Sequence, residues 1–319
     1  MQRTSLIALC IVTFMALGGG TTLRAQQQIT DRWSRMADTN SAHEYHTAVA
    51  VEGKIYVVGG TGFAREPAKF EEFDPETNTW NILPDMPTPR DFLGVAAVQE
   101  KIYAMGGLRS SQGARVTVEA YDLTENTWIK CANMPTPRNR LAAVAVAGKI
   151  YAIGGMNNDR DTNIVEVYDP REDSWERMAN MPTPRHGHSA VVVNGLILVV
   201  GGYRLTGILT PLSTVEEYDP ATDRWTRKAD MPTPRGFLGV AVAKGQVYAL
   251  AGRVRGDPPI ERYDPGTNLW ERLGTMPDGF RNRFGIAAVD DMIYVIGGEY
   301  QGDKQTPVSV LRYDPEDGR

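Results

Sequence analysis

The segment Met134–Gly155 reads MPTPRNRLAAVAVAGKIYAIGG, and five further versions of it occur along the chain. The versions end in a glycine pair or its near equivalent, at Gly59-Gly60, Gly106-Gly107, Gly154-Gly155, Gly201-Gly202, Ala251-Gly252 and Gly297-Gly298. The tryptophans recur with the same period, 45 to 50 residues apart, at Trp33, Trp80, Trp128, Trp175, Trp225 and Trp270. A repeat of this length indicates a solenoid, a propeller or an array of small units.

Each repeat contains four segments of strand length. In the third repeat, the apolar runs Leu141–Ala147 and Ile150–Ile153 flank a glycine turn. Ile164–Tyr168 alternates apolar and polar residues, and Trp175–Met178 follows an Asp-Pro turn. No segment shows a helical period, so the pattern favours strands. Four antiparallel strands in each repeat of this length predict a propeller blade.

These features resemble kelch repeats. The shared features are a glycine pair after the second strand, a tyrosine before it, and a Tyr-Asp-Pro turn or a close variant followed by tryptophan. The fourth repeat departs from this pattern, with Leu198 in place of the tyrosine. The resemblance covers roughly residues 30–319. It implies an all-β, six-bladed kelch β-propeller with four antiparallel strands per blade. It does not identify the function, which must be argued from the residues of the site because one fold hosts many activities.

The two ends of the repeat region are complementary. Ile29–Met36 is a fourth-strand segment with no first three strands before it, and Val308–Tyr313 is a third strand with no tryptophan after it. We therefore expect the N-terminal strand to complete the last blade, with Arg32–Arg35 hydrogen-bonded to Ser309–Tyr313. Closure of this kind removes two strand edges that could otherwise pair with other chains.

The first 25 residues differ in character from the rest. Arg3 precedes the apolar run Leu6–Leu17, and small residues follow it up to Ala25. This pattern predicts a signal peptide at residues 1–25, with an uncleaved N-terminal anchor as the alternative. Residues 26–319 would then form a single propeller domain, which we expect to be an exported, periplasmic or extracellular monomer without a membrane span.

Charge and cysteine content restrict the partners. The chain has 34 basic and 39 acidic residues, a net charge of −5, which becomes 32 and 39, or −7, without Arg3 and Arg24. An acidic balance of this kind argues against binding nucleic acid through its backbone. Once residues 1–25 are removed, Cys131 is the single cysteine, so no intramolecular disulfide is possible. We expect Cys131 to be a packing residue; an exposed thiol is the alternative.

Candidate site residues cluster on one face of the predicted propeller. In a four-stranded blade, the loop that enters the first strand and the loop that leaves the second lie on the same face. One position in the entry loops is basic in every repeat, as His43, Arg90, Arg138, Arg185, Arg235 and Arg281. We expect these arginines to tie the loops together through backbone carbonyls, and the alternative is a cationic ring for acidic ligands.

Two residues further along, the repeats differ from one another. The position holds Tyr45, Phe92, Arg140, Gly187, Phe237 and Arg283. Such diversity is expected where side chains face a ligand. The aromatic members could stack on a sugar or a peptide side chain, or they could only plug the channel. In kelch adaptor domains that bind acidic peptides, an arginine of a Pro-Arg-Asn-Arg segment binds the ligand, which implies this role for Arg140 and a similar one for Arg283.

With their neighbours, these residues form the predicted ligand-binding set. Its members are Tyr45, Asp91, Phe92, Asn139, Arg140, His186, His188, Tyr203, Phe237, Arg253, Asn282, Arg283 and Glu299. The loop Tyr203–Thr214 carries more apolar residues than a free loop needs, so it either leans over the opening or packs on its own blade. The four histidines, His43, His46, His186 and His188, raise a metal hypothesis. No carboxylate is placed to share the metal, and we predict neither metal nor cofactor.

The function predicted first is a non-catalytic binding module for a peptide, a protein or a glycan, possibly an acidic one. The alternative is a carbohydrate-active enzyme, since secreted six-bladed kelch proteins include a sialic-acid mutarotase. That resemblance would place the sugar carboxylate on Arg140 or Arg283, with Glu299, Asp91 or His186 as acid or base. A copper oxidase of the galactose-oxidase type is disfavoured, because that family links a cysteine to a tyrosine at the metal and Cys131 lies in a fourth strand.

Overall fold

The structure is a computed structural model that describes residues 32–62, 66–109, 113–253, 256–257, 259–277, 281–300 and 308–315. The side chains of Arg281, Glu299 and Tyr300 are outside this description, and so is the predicted signal peptide. All regular secondary structure in these ranges is β. They contain no helix with the length and apolar character needed to cross a membrane.

Six four-stranded antiparallel sheets form the propeller blades. The first strands are β2 (Thr47–Val51), β6 (Gly94–Val98), β10 (Ala142–Val146), β16 (Ser189–Val193), β22 (Gly239–Ala243) and β27 (Gly285–Val289). The second strands are β3 (Lys54–Val58), β7 (Lys101–Met105), β11 (Lys149–Ile153), β17 (Leu196–Val200), β23 (Gln246–Leu250) and β28 (Met292–Ile296). Blades one to six are numbered in this order.

The outer strands follow the same order. The third strands are β4 (Glu71–Asp74), β8 (Val118–Asp122), β14 (Val165–Asp169), β20 (Val215–Asp219), β24 (Pro259–Asp264) and β30 (Val310–Tyr313). The fourth strands are β5 (Thr79–Ile82), β9 (Thr127–Lys130), β15 (Ser174–Arg177), β21 (Arg224–Arg227), β25 (Leu269–Thr275) and β1 (Trp33–Met36). Short extra strands are β12 (Met156–Asn157), β13 (Arg160–Asp161), β18 (Tyr203–Leu205), β19 (Leu209–Pro211), β26 (Arg281–Asn282) and β29 (Glu299–Tyr300).

The ring closes through the N-terminal strand, as the sequence predicts. β1 pairs with β30 in antiparallel register, from Trp33 opposite Tyr313 to Met36 opposite Val310. Each first strand also contacts the first strands of both neighbouring blades, including β27 with β2. The first strands therefore line the axis. The second strands are buried on both faces between neighbouring sheets, which explains their unbroken apolar sequences.

Tryptophans and turn residues join neighbouring blades. Five indole Nε1–H groups donate to a backbone carbonyl of the preceding blade, as in Trp175 to Ala132 at 2.9 Å. The turn residue Asp173 has a positive φ of 47° and accepts from both Tyr168 Oη and the Ala132 amide. These five tryptophans thus have the hydrogen-bond partner that a buried indole requires, whereas Trp33 Nε1 has none among the described residues.

The glycine pairs are required by the close approach of the next blade. Gly106 and Gly107 have φ values of 62° and 90°. A Cβ atom on Gly106 would lie 2.5 Å from the Arg138 carbonyl oxygen, and the Gly107 amide donates to this same oxygen at 2.8 Å. The pair therefore provides both the left-handed backbone and the contact between blades.

Candidate binding site

Buried arginine–glutamate pairs support the entry loops of blades two to five. Each arginine lies 2.6 to 2.7 Å from a glutamate of the third strand and also donates to backbone carbonyls. The pairs are Arg90–Glu119, Arg138–Glu166, Arg185–Glu216 and Arg235–Glu261. The arginines are fully buried, so they tie the loops together and do not form a cationic ring open to a ligand.

The glutamates were not predicted from the sequence, although the signal is present there. Each lies two residues before the aromatic residue of the third strand, and its other carboxylate oxygen accepts from an entry-loop hydroxyl, as in Thr136 to Glu166 at 2.6 Å. In blade one, His43 replaces arginine, 3.2 Å from Glu71. In blade six, Leu311 occupies the glutamate position. The basic position is therefore part of the scaffold, and the site must be sought elsewhere.

The residues two positions further along form a ring around the channel mouth. All six have positive φ, between 52° and 60°. The Phe92 amide donates to the Tyr45 carbonyl at 3.0 Å, and the Arg140 amide donates to the Phe92 carbonyl at 2.8 Å. The same bond joins Gly187 to Arg140, Phe237 to Gly187, and Tyr45 to Arg283. These backbone hydrogen bonds run from blade to blade and fix the ring, which we call the mouth ring.

The side chains of the mouth ring pack on one another. The rings of Tyr45 and Phe92 have centroids 4.5 Å apart, and those of Phe92 and Phe237 are 6.1 Å apart. The Arg140 guanidinium lies 4.7 Å from the Phe92 centroid, and Arg283 lies 4.7 Å from Tyr45 and 5.4 Å from Phe237. These are cation–π distances. Much of the aromatic surface is therefore covered by neighbours, which favours the plugging role over stacking on a ligand.

Two half-buried guanidinium groups converge in the mouth ring. Burial lowers the pKa of Arg140, and the positive charge of Arg283 lowers it further. Arg283 Nη1 donates to the Tyr45 hydroxyl at 2.8 Å. Among the described residues, no carboxylate forms an ion pair with Arg140, in contrast to the four arginines beneath it. The charge of Arg283 therefore acts on Arg140 across the mouth, and guanidinium groups placed in this way suit an anionic group.

The residue just before the mouth ring pairs with the loop that leaves the second strand. Isolated bridges join Asp91 to Leu108, Asn139 to Met156, His186 to Tyr203 and Gly236 to Arg253, and the strand pair β26–β29 joins Asn282 to Glu299. Asp91 accepts from Thr61 Oγ1 at 2.7 Å, while its burial raises the pKa of the carboxyl group. The predicted residues of this layer therefore surround the mouth ring.

A carboxylate from the neighbouring blade aligns His186 at the channel mouth. Its Nδ1 lies 2.6 Å from Asp161 Oδ1, and both side chains are almost completely buried. Asp161 comes from β13 of blade three, so the pair joins two blades. The His186 ring also contacts the rings of Tyr203 and Phe237, with centroids 5.9 and 6.2 Å away. A carboxylate at Nδ1 leaves Nε2 as the nitrogen available to a ligand.

The remaining histidines are buried in the scaffold. His43 pairs with Glu71. His46 Nε2 accepts from the Gly285 amide at 2.9 Å, and both ring nitrogens of His188 lack a hydrogen-bond partner. Within the described ranges, no group of three or more His, Cys, Asp or Glu residues could hold a metal ion. His188 was predicted to bind ligand, and it lies in the wall of the cavity below the mouth ring.

The loop after the fourth glycine pair folds into the hairpin β18–β19. Tyr203 is buried at its base, 5.6 Å from Phe237 between ring centroids, and its hydroxyl donates to the Arg253 carbonyl at 3.1 Å. The hairpin therefore stands beside the mouth, while the Arg253 side chain is exposed. Below the mouth ring, a cavity of about 200 Å³ continues along the channel. This volume is smaller than that of most small-molecule pockets.

Cys131 is buried at the end of β9, in the core between blades two and three. Burial raises the pKa of its thiol. Its apolar surroundings match the predicted packing role. Cys131 is not among the residues that line the cavity at the mouth.

Comparisons with known proteins bear on the fold. The model of the KLHDC2/KLHL20/DRC7 Kelch-repeats domain matches residues 45–252, and the model of the Kelch motif matches residues 234–277. No curated protein matches the chain. The solved structure of YjhT is similar, with a TM-score of 0.73, 17% sequence identity, and coverage of 86% of this chain and 96% of that one. At this identity the likeness concerns the fold alone.

Proposed function

Because the chain belongs to the kelch-repeat family, we propose that it is an exported binding module that holds a carboxylate-bearing peptide, protein or glycan at the mouth ring. The observation that carries this proposal is the convergence of Arg140 and Arg283. Their guanidinium groups are half-buried, oriented by aromatic faces and close enough to repel each other. An anion between them would remove this repulsion and form charge-assisted hydrogen bonds.

Binding of acidic ligands by an Arg140→Ala/Arg283→Ala variant tests the proposal. We expect the wild type to bind members of a glycan and acidic-peptide array and the variant to lose at least about tenfold in affinity, since hydrogen bonds to charged groups contribute about 1.5–3 kcal/mol each. Arg177→Ala is the matched control, because Arg177 is exposed on a fourth strand away from the mouth. Equal binding by wild type and double variant would refute the arginine site.

A second candidate function is catalysis on an acidic sugar, and the Asp161–His186 pair is the observation that favours it. A histidine fixed by a carboxylate can act as a general base through its other nitrogen. The resemblance to secreted sialic-acid mutarotases makes the interconversion of sialic-acid anomers the reaction to test. NMR exchange measurements on N-acetylneuraminate would show acceleration by wild type and its loss in His186→Gln. A rate equal to that of buffer would exclude this activity.

A further inference from the structure

The hairpin β18–β19 exposes an unusual amount of apolar surface. Leu205, Ile208 and Leu209 are 40%, 75% and 45% exposed. Large exposed apolar side chains that cluster together mark interaction sites more often than chance placement does. The cluster stands on the same face as Arg140 and Arg283.

Strand geometry places the side chains of Leu205 and Leu209 on the mouth side of the hairpin. Successive side chains of a strand point to opposite sides, so Leu205 shares a side with Tyr203. The Tyr203 ring packs on Phe237 and His186 of the mouth. Leu209 lies opposite Leu205 in the hairpin register and therefore points to the same side. Leu205 and Leu209 thus extend the apolar surface of Tyr203 outward, and we call these three residues the hairpin wall.

The hairpin wall is held in place before any ligand arrives. Asp161 accepts from the Leu205 amide through Oδ2 while its Oδ1 contacts His186. The Leu212 amide donates to the Gly202 carbonyl at 2.9 Å, which anchors the second strand of the hairpin. A surface fixed in this way loses little conformational entropy when it binds a partner.

We propose that the hairpin wall receives a large apolar side chain of a peptide segment whose carboxylate lies on Arg140 and Arg283. This inference rests on the proposed function, and it selects a peptide over a glycan. The two contacts are complementary in chemistry, with an apolar wall on blade four beside a cationic mouth. A glycan would leave hydroxyl groups against leucine side chains without hydrogen-bond partners, which costs free energy. Leu205 and Leu209 share the side of the hairpin that carries Tyr203, beside the mouth, so a peptide bound at the mouth would reach them.

Selection from a random-peptide display library on the full-length protein tests this inference. We expect the selected peptides to combine Asp or Glu with a large apolar residue at a fixed spacing. Binding of the best synthetic peptide should weaken about tenfold or more in Leu205→Ser/Leu209→Ser, as for truncation of an interface anchor. Leu269→Ser is the control, because Leu269 is 67% exposed at the start of β25, away from the mouth. Both variants change exposed positions, and their melting temperatures establish that they fold.

A double-mutant cycle separates a direct contact from an indirect effect. Replacing the apolar residue of the peptide by serine should weaken binding to wild type and have little further effect on Leu205→Ser/Leu209→Ser. Two results would refute the role of the hairpin wall and leave the arginine site intact. One is selection of acidic peptides without an apolar preference, and the other is equal binding of a peptide to the leucine variant and to wild type. Arginine-dependent binding of uronate oligosaccharides without any peptide binding would also refute the role of the hairpin wall and support the arginine site.

Two further outcomes are distinguishable. Capture of wild type by phosphatidylserine vesicles, lost in Leu205→Ser/Leu209→Ser, would overturn the peptide assignment in favour of a membrane. If neither acidic peptides nor uronates bind, the proposed function and the hairpin wall both fail.

Discussion

His188 offers a test of how the propeller tolerates a polar residue in its core. The equivalent position is leucine in blades two, three and five, at Leu93, Leu141 and Leu238. His188 packs against Gly154 of the preceding blade, as Leu141 packs against Gly106. Neither His188 ring nitrogen has a partner at hydrogen-bonding geometry. We therefore expect His188→Leu to fit the site and to stabilise the protein by about 1–3 kcal/mol at pH 7, the cost of a buried unsatisfied polar group.

The pH dependence of this effect follows from the titration of His188. Burial, followed by the charge of Arg185, lowers the pKa of His188 to about 3, from 6.5 in the unfolded chain. The nearby Ile153 carbonyl offsets only part of this shift. Between pH 6.5 and 3 the unfolded chain binds the extra proton, so stability falls as the pH falls through this window. From pH 7 to pH 5 the loss attributable to His188 is about 2 kcal/mol.

Urea unfolding at pH 7 and pH 5, followed by tryptophan fluorescence and circular dichroism, measures both effects. We expect the wild type to lose about 2 kcal/mol more than His188→Leu between the two pH values. His46→Leu is the comparison. Burial also lowers the pKa of His46, so its replacement should reduce the acid loss. At pH 7, however, it removes the acceptor of the Gly285 amide. Equal acid losses in wild type and His188→Leu would refute the reasoning.

Two further predictions concern the scaffold. Glu166→Gln should destabilise the protein by about 3–5 kcal/mol, because it leaves the buried Arg138 charge without its partner. Glu176→Gln, on the exposed neighbouring strand, should change stability by less than about 0.5 kcal/mol. Urea unfolding measures both variants, and similar effects would contradict the role of the buried pair. Gly154→Ala should cost about 2–5 kcal/mol, since its Cβ would lie 2.7 Å from the His188 ring at a φ of +57°. Gly148→Ala, at a φ of +79° with open space around it, should cost only the backbone strain of about 1–2 kcal/mol, and thermal melts that rank the two in the opposite order would disprove the close-approach argument.

The architecture of this protein could be predicted from the sequence because its determinants are local and repeated. A glycine pair after the second strand (Ala251-Gly252 in the fifth repeat), an Asp-Pro turn in all repeats but the second, and a tryptophan recur along the chain, so each repeat indicates the same blade. The closure of the ring, with Trp33 opposite Tyr313, followed from counting strands at the two ends. The backbone-tying role of the buried arginines was also expected from their repetition in register.

The partners of these arginines and the geometry of the mouth were decided by tertiary structure. Glu166 lies on a different strand from Arg138, and only the packing of the sheet brings the two together. Asp161 reaches His186 across a blade boundary, from the short hairpin β12–β13. The glutamates recur two residues before the third-strand aromatic residue, but no repeat of the sequence pairs Asp161 with His186, because that contact joins the variable loops of two different blades. The sequence determined which residues stand around the channel, and the packing of six blades decided which of them face one another.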